Sequence, residues 1–140
     1  MNDFERSLPM MLYRTLDTIM PGFRRIFAEF GLTEQQWRVL RVLWEQDQQS
    51  LLNLSRITLI SPPSLVGVVD RLARDELVTR VRSVTDRRVV NICLTAKGQA
   101  LEEQVTPQVT KAYADIEDQL DRTQWHTIYQ ALDTLMANGR

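Results

Sequence analysis

The sequence predicts a mainly helical fold carrying one small β-hairpin. Three observations lead there. Apolar residues return every three or four positions through most of the chain, the spacing of helices buried along one face. That period shortens to two between Leu77 and Leu94, where β-branched residues crowd together as they do in strands. Capping residues, Pro and Gly stand at the joints between these segments.

The first helix is expected over 7–30, with Leu8, Met11, Leu12, Ile19, Phe23, Ile26, Phe27 and Phe30 on its apolar face. Pro21-Gly22 interrupts that pattern, and a proline there removes a backbone hydrogen bond and bends the helix. Gly31 suits a left-handed stop. A second helix begins at Thr33, where Thr33-x-x-Gln36 has the form of a capping box, and runs through Trp37, Leu40, Val42, Leu43 and Trp44. Ser50 can cap a short third helix, LLNLSRI. In the fourth, Ser61 is a natural N-cap and Pro62 takes the first helical position, where its missing N–H costs nothing. Leu65, Val68, Val69 and Leu72 form its buried stripe, with Ser64, Gly67 and Arg71 on another face. LVTRVR and VVNICL then read as strands joined by SVTDRR. Thr95 caps a long fifth helix with a bend at Pro107, and Asp121-x-x-Gln124 caps a last one bearing Trp125, Ile128, Leu132, Leu135 and Met136.

Composition narrows the function. The chain has 140 residues, 44% hydrophobic and 25% charged, which fits one folded domain with a modest core and excludes disorder. The single cysteine, Cys93, rules out an intramolecular disulfide or a multi-cysteine metal site, and the single histidine, His126, removes most catalytic triads. With no Gly-rich phosphate loop and no nucleophile elbow, neither an enzyme nor a cofactor is expected. Cys93, between Ile92 and Leu94 on a strand, reads as a packed and inert thiol, and His126 as a polar-face residue. No apolar run approaches the ~18 residues of a membrane span, and Asp3 and Glu5 replace the basic start of a signal peptide. A cytoplasmic protein without a membrane partner is expected. Net charge is −1, yet segment 61–96 holds six basic residues against four acidic ones.

Two short helices joined by a tight turn, the second with a polar first turn, are the plan of a helix-turn-helix. Such a second helix enters the DNA major groove and offers first-turn side chains to base edges. Ser61, Ser64 and Arg71 are the available donors, while Pro62 and Gly67 keep the helix slim for approach to phosphates. A hairpin directly after it makes a winged helix-turn-helix. The wing tip then lies along the phosphates or over the minor groove, whose negative potential attracts guanidinium groups. Arg82, Arg87 and Arg88 fit that duty. Asp86 would be repelled by phosphate, so its role is to pair with a neighbouring arginine and hold the tip rigid. A solvated tip with an incidental ion pair is the plain alternative, worth at most ~1 kcal/mol. A winged helix that docks a protein rather than DNA is the alternative function.

The stretches GLTEQQWRVLRVL, SPPSLVGVVDRLARDELVTR and DRRVVNICLTAKGQAL resemble the MarR-type winged-helix transcriptional regulators across essentially the whole chain. The last matches a D-x-R … L-T-x-x-G pattern at Asp86, Arg88, Leu94, Thr95 and Gly98. LTEQQWRVLRVL is most similar to the subgroup that controls catabolism of aromatic acids, such as the homoprotocatechuate pathway repressors. Glu76 departs from the pattern, standing where relatives commonly carry Gly, so it must accept a strained backbone or a changed turn.

The resemblance implies a single MarR-type domain over 1–140, with a DNA-binding lobe over 33–94. Helices over 7–30 and 97–138 would form an intertwined dimerisation domain. It implies an obligate homodimer that places two winged helices on successive major grooves of a pseudo-palindrome in double-stranded DNA. Apolar surface on the first and last two helices exceeds what one winged helix can cover, in agreement. The resemblance also implies repression relieved by a small aromatic or phenolic acid in a crevice between the dimer helices and the DNA-binding lobe. Arg14 could anchor a carboxylate there, or pair with Asp17 one turn away. Trp37 with Arg38 or Arg41 could give an aromatic wall and a second cation, and Met10 and Met11 an adaptable lining. Equally, Trp37 could be a core residue and the methionines filler.

Overall fold

The computed structural model describes residues 2–139. Six helices and three short strands lie among them: α1 Leu8–Glu29, α2 Glu34–Glu45, β1 Gln49–Ser50, α3 Leu51–Thr58, α4 Pro62–Arg74, β2 Val78–Arg82, β3 Val90–Leu94, α5 Ala96–Glu117 and α6 Arg122–Asn138. The chain divides into two compact units, one ending at Thr106 and one beginning at Pro107. Among the described residues, no single helix is long and apolar enough to cross a membrane.

Local chemistry sets the helix limits of the first unit. α1 runs unbroken through Pro21, so the expected interruption is absorbed inside one helix. It stops at Gly31, whose φ of 71° is left-handed, and the Leu32 N–H closes back on the Phe27 carbonyl at 2.9 Å. Thr33 and Gln36 form the reciprocal capping box that starts α2. The Ser50 hydroxyl accepts the Asn53 N–H at 3.1 Å to start α3. Such caps contribute about 1 kcal/mol each. Leu59 ends α3 in the left-handed region, at φ 60°, and the chain turns by 107° into α4.

The expected stripe of α4 is buried in full: Leu65, Val68, Val69 and Leu72 pack against a core that includes Phe27, Val39, Leu40, Leu43 and Leu54. Burying a side chain of this size contributes about 1.5–3 kcal/mol. The hairpin forms as expected, with Val78 opposite Leu94 and Arg82 opposite Val90. A third strand was not expected. β1 pairs antiparallel with β3, Gln49 opposite Ile92 and Ser50 opposite Asn91, giving the order β1-β3-β2. Two residues carry no readable period, so only the long-range pairing makes this strand. It places Ile92 at the sheet centre, fully buried.

Glu76 takes up the strained backbone foreseen for a non-glycine residue, at φ 62°. It links the end of α4 to β2. Behind this turn α5 begins, with the Thr95 hydroxyl accepting the Gly98 N–H at 3.0 Å. A Cβ at Gly98 would lie 2.1 Å from the Leu77 carbonyl oxygen, so glycine is required there by close approach. The Trp44 indole N–H donates to the Gly98 carbonyl at 2.9 Å.

α5 also continues through its proline, Pro107. In the second unit, Asp121 and Gln124 form the expected capping box of α6. The Trp125 indole N–H donates to the Glu117 carbonyl at 2.8 Å, tying α6 back to the end of α5. Tyr113, Ile128, Tyr129, Leu135 and Met136 are exposed in this unit.

Replacing Gly98 by alanine forces a methyl group against a backbone oxygen that cannot rotate away. Gly98→Ala is expected to lower unfolding stability by about 3 kcal/mol, at the upper end of overpacking costs, read as a lower urea midpoint with unchanged slope.

Candidate nucleic-acid interface and an adjoining crevice

α4 presents Ser61, Pro62, Ser64, Asp70 and Arg71 as exposed residues on the side opposite its buried stripe. Ser61 stands at the cap position but does not cap. Its hydroxyl donates to the Ser64 hydroxyl at 3.1 Å and receives no helix N–H. The expectation of a Ser61 cap is therefore corrected. Pro62 and Pro63 bring no N–H of their own to the first turn, so fewer donors there need an acceptor. A Cβ at Gly67 would meet nothing within 4 Å. Within this chain nothing demands glycine there, which leaves room for an outside group to approach the backbone.

The wing carries Arg80, Arg82, Arg87 and Arg88 against one acid, Asp86. Its tip is closed by the Ser83 N–H on the Val89 carbonyl at 2.8 Å and the Val89 N–H on the Asp86 carbonyl at 3.0 Å. The expected pairing of Asp86 is with Arg88. Nε and Nη2 of Arg88 donate to the two carboxylate oxygens at 3.1 and 3.2 Å, and its own N–H adds a third bond at 3.0 Å. These bonds hold the Asp86 carboxyl below its ordinary pKa, the Arg88 side chain contributing most. Arg82 donates to the Arg87 carbonyl, so it braces the tip from inside the hairpin. Among the described residues Arg87 makes no ion pair. It is the unspent cation of the tip. An ion pair between Arg80 on β2 and Asp70 on α4 joins the two parts of this surface.

Beside this lobe, Trp37, Arg38, Arg41 and Val42 of α2 face Ile57, Thr58 and Leu59 at the end of α3 across a crevice of about 310 Å³. Trp37 is held from behind by stacking on Phe27, with ring centroids 4.7 Å apart and planes at 18°. Arg38 is committed to the Thr58 carbonyl and to Glu34 at 3.3 and 3.1 Å. Arg41 makes only an exposed pair with Glu45 one turn on, an interaction worth about 0.3–0.5 kcal/mol and easily exchanged for another carboxylate.

Three of the six residues expected in a ligand site are thus brought together. Met10, Met11 and Arg14 do not line this crevice. Arg14 is exposed rather than set among apolar groups, and pairs with Glu5 at 3.1 Å instead of Asp17. The fold of residues 2–7 back over the helix start brings that acid within reach. Ile57, Thr58 and Leu59 were missed. A Leu in a left-handed turn, 86% exposed, gives no periodic signal. Cys93 is half-buried, and burial together with the Asp47 carboxylate pushes its thiol above the ordinary value, which suppresses the reactive thiolate.

Residues 32–90 match the family model of the MarR family. The chain is 35% identical to the homoprotocatechuate degradative operon repressor of Escherichia coli over 95% of its own length and 90% of that protein. Its fold is similar to the crystal structure of NadR in complex with 4-hydroxyphenylacetate, at TM-score 0.81 and 31% identity, covering 94% of this chain and 96% of the other. It is similar also to the transcriptional repressor CouR bound to a 23-mer DNA duplex, at TM-score 0.86 and 26% identity, covering 97% and 96%.

The depressed Asp86 pKa fixes a sign. Charge on Asp86 stabilises the folded tip above the ordinary aspartate range, near pH 4, and that contribution is lost as pH falls through the lower folded value. A carboxyl-carbon NMR titration is expected to place Asp86 below a free aspartate, and Arg88→Ala to raise it part of the way back, since the backbone N–H at position 88 still donates to the carboxylate.

Proposed function

The chain belongs to the MarR family of transcriptional regulators, and we propose that it works as a homodimeric repressor, released from a pseudo-palindromic operator by a small aromatic acid. The observation that carries the reading is the pairing of an exposed hydroxyl-bearing first turn on α4 with a hairpin of net charge +3 beside it. Ser61, Ser64 and Arg71 meet base edges in the major groove. Arg87 goes to the minor groove or its phosphates, while Asp86 keeps Arg88 and the tip backbone in place.

A second copy accounts for apolar surface that each unit leaves open. Leu8, Leu12 and Leu16 recur at one-turn spacing on α1 and are roughly half exposed. Ile128, Leu135 and Met136 are exposed on α6. A two-fold dimer buries both sets and spaces two α4 helices about 34–36 Å apart, one turn of duplex. The chain's similarity to the DNA-bound CouR supports this arrangement.

The crevice supports the effector reading. Its volume is at the small end of ligand sites, suited to one aromatic ring with a short acid arm. Trp37 offers a fixed aromatic wall, and Arg41 a guanidinium that can leave Glu45 for the carboxylate. The acid bound by NadR, 4-hydroxyphenylacetate, has this chemistry, which also fits the catabolic role named for the E. coli relative.

A duplex selected by the protein from a random-sequence pool serves as the DNA probe. Its affinity is expected to fall steeply with salt, and Arg87→Ala to reduce the slope of log K against log salt by about 0.9 for each phosphate it no longer neutralises. Binding that ignores salt would point to a protein-docking wing instead. In a gel-shift titration with 4-hydroxyphenylacetate, Arg41→Ala is expected to bind the duplex as the parent does yet resist release. Release of the parent and the variant at the same acid concentration would remove Arg41 from the site.

A further inference from the structure

The joint between α4 and the wing contains a hydroxyl that neither the DNA-facing surface nor the crevice uses. Strand pairing in the hairpin ends at Val78 and Leu94. One residue further, the Thr95 N–H donates to the Leu77 carbonyl at 3.1 Å, and the Thr95 hydroxyl donates to the Glu76 carbonyl at 2.6 Å. The same oxygen accepts the Gly98 N–H at 3.0 Å. A single atom therefore bridges the turn after α4, the end of β3 and the start of α5. Lys97 adds a bond to the Asp75 carbonyl at 2.9 Å.

This bridge lies at the root of the wing. Glu76 sits in the left-handed region at φ 62°, a conformation unfavourable for a residue with a Cβ. Something must hold it. The hairpin from Val78 to its tip reaches about 20–25 Å at strand rise, so a rotation of about 10° at the root moves Arg87 by about 4 Å. That exceeds the tolerance of any hydrogen bond to phosphate. The side-chain tie between α4 and the wing, Asp70 with Arg80, is solvent-exposed and is weakened by the salt in which DNA binding occurs.

We infer that Thr95 is a positioning residue for DNA binding: its hydroxyl, bonded to the Glu76 carbonyl, fixes the angle at which the wing leaves α4. The inference rests on the DNA-binding reading above. It separates two jobs of one oxygen. Accepting from Gly98 caps α5, which an aspartate also does. Donating to Glu76 requires a hydroxyl proton, which an ionised aspartate lacks.

The test compares Thr95→Ser, which keeps both jobs, Thr95→Asp, which keeps only the cap, and Thr95→Val, which is uncharged and keeps neither. Nitroxide labels at Val84→Cys on the tip and Val66→Cys on α4, in a Cys93→Ser background and diluted with unlabelled protein, report the wing angle without DNA. Binding to the selected duplex reports the consequence. Thr95→Ser is expected to match the parent. Thr95→Asp and Thr95→Val are expected to broaden the label distance and to bind about tenfold or more weakly. Thr95→Val, which adds no charge, is also expected to show a salt slope lower by about 0.9 for each phosphate the wing no longer reaches. A narrow, parent-like distance in Thr95→Asp overturns the inference, as does parent-like affinity in either hydroxyl-free variant. Failure of Thr95→Asp to fold while Thr95→Ser folds also overturns it, since the proton would then serve the fold rather than the angle. A parent that selects no duplex defeats the DNA-binding reading instead, and the label distances still decide the angle.

Discussion

The junction between α4 and the wing depends on the approach of α5 to the backbone at Leu77. With a Cβ at position 98 only 2.1 Å from the Leu77 oxygen, α5 can begin where it does only because residue 98 has no side chain. That closeness brings the Gly98 carbonyl to the Trp44 indole and the Gly98 N–H to the Thr95 hydroxyl. It lets Leu77 and Val78 enter the core. The end of α4, the root of the hairpin, the last turn of α2 and the first turn of α5 thus share one joint. Each hydrogen bond in it nets about 1 kcal/mol. Together they hold a left-handed glutamate that would otherwise relax.

Charge is organised locally rather than globally. A protein of net charge −1 is not drawn to a polyanion as a whole. Its hairpin, with four arginines and one aspartate, is a separate matter. Asp86 gives up part of that positive charge by binding Arg88, and in return fixes the backbone of the tip through the Arg88 N–H. Arg82 braces the Arg87 carbonyl. The Arg87 guanidinium is left as a cation on a rigid base, and a preorganised cation loses less conformational entropy on meeting a phosphate than one on a floppy loop.

α2 connects this joint with the crevice. Trp37, Arg38 and Arg41 stand along its length, and Trp44 in its last turn reaches Gly98. Its buried side, Val39, Leu40 and Leu43, is fully enclosed. α2 is close-packed and borders both the crevice and the root of the wing. The exposed Arg41–Glu45 pair is the soft element in that arrangement; the Trp37–Phe27 stack is the hard one.

The sequence by itself determined what residues within about four positions of one another decide. The caps at Thr33, Ser50, Thr95 and Asp121, the stripe of α4 and the Asp86–arginine pairing were all legible, because backbone geometry gives such neighbours little choice of partner; the hairpin was legible from its two-residue period, and the strain at Glu76 from the family resemblance. The tertiary structure decided the rest. It made a strand of Gln49–Ser50 by offering β3 as a partner, turned Arg14 to Glu5 rather than Asp17, and faced Ile57 and Leu59 toward Trp37. In each case several partners were open along the chain, and packing from distant segments selected among them by distance, which no local pattern encodes.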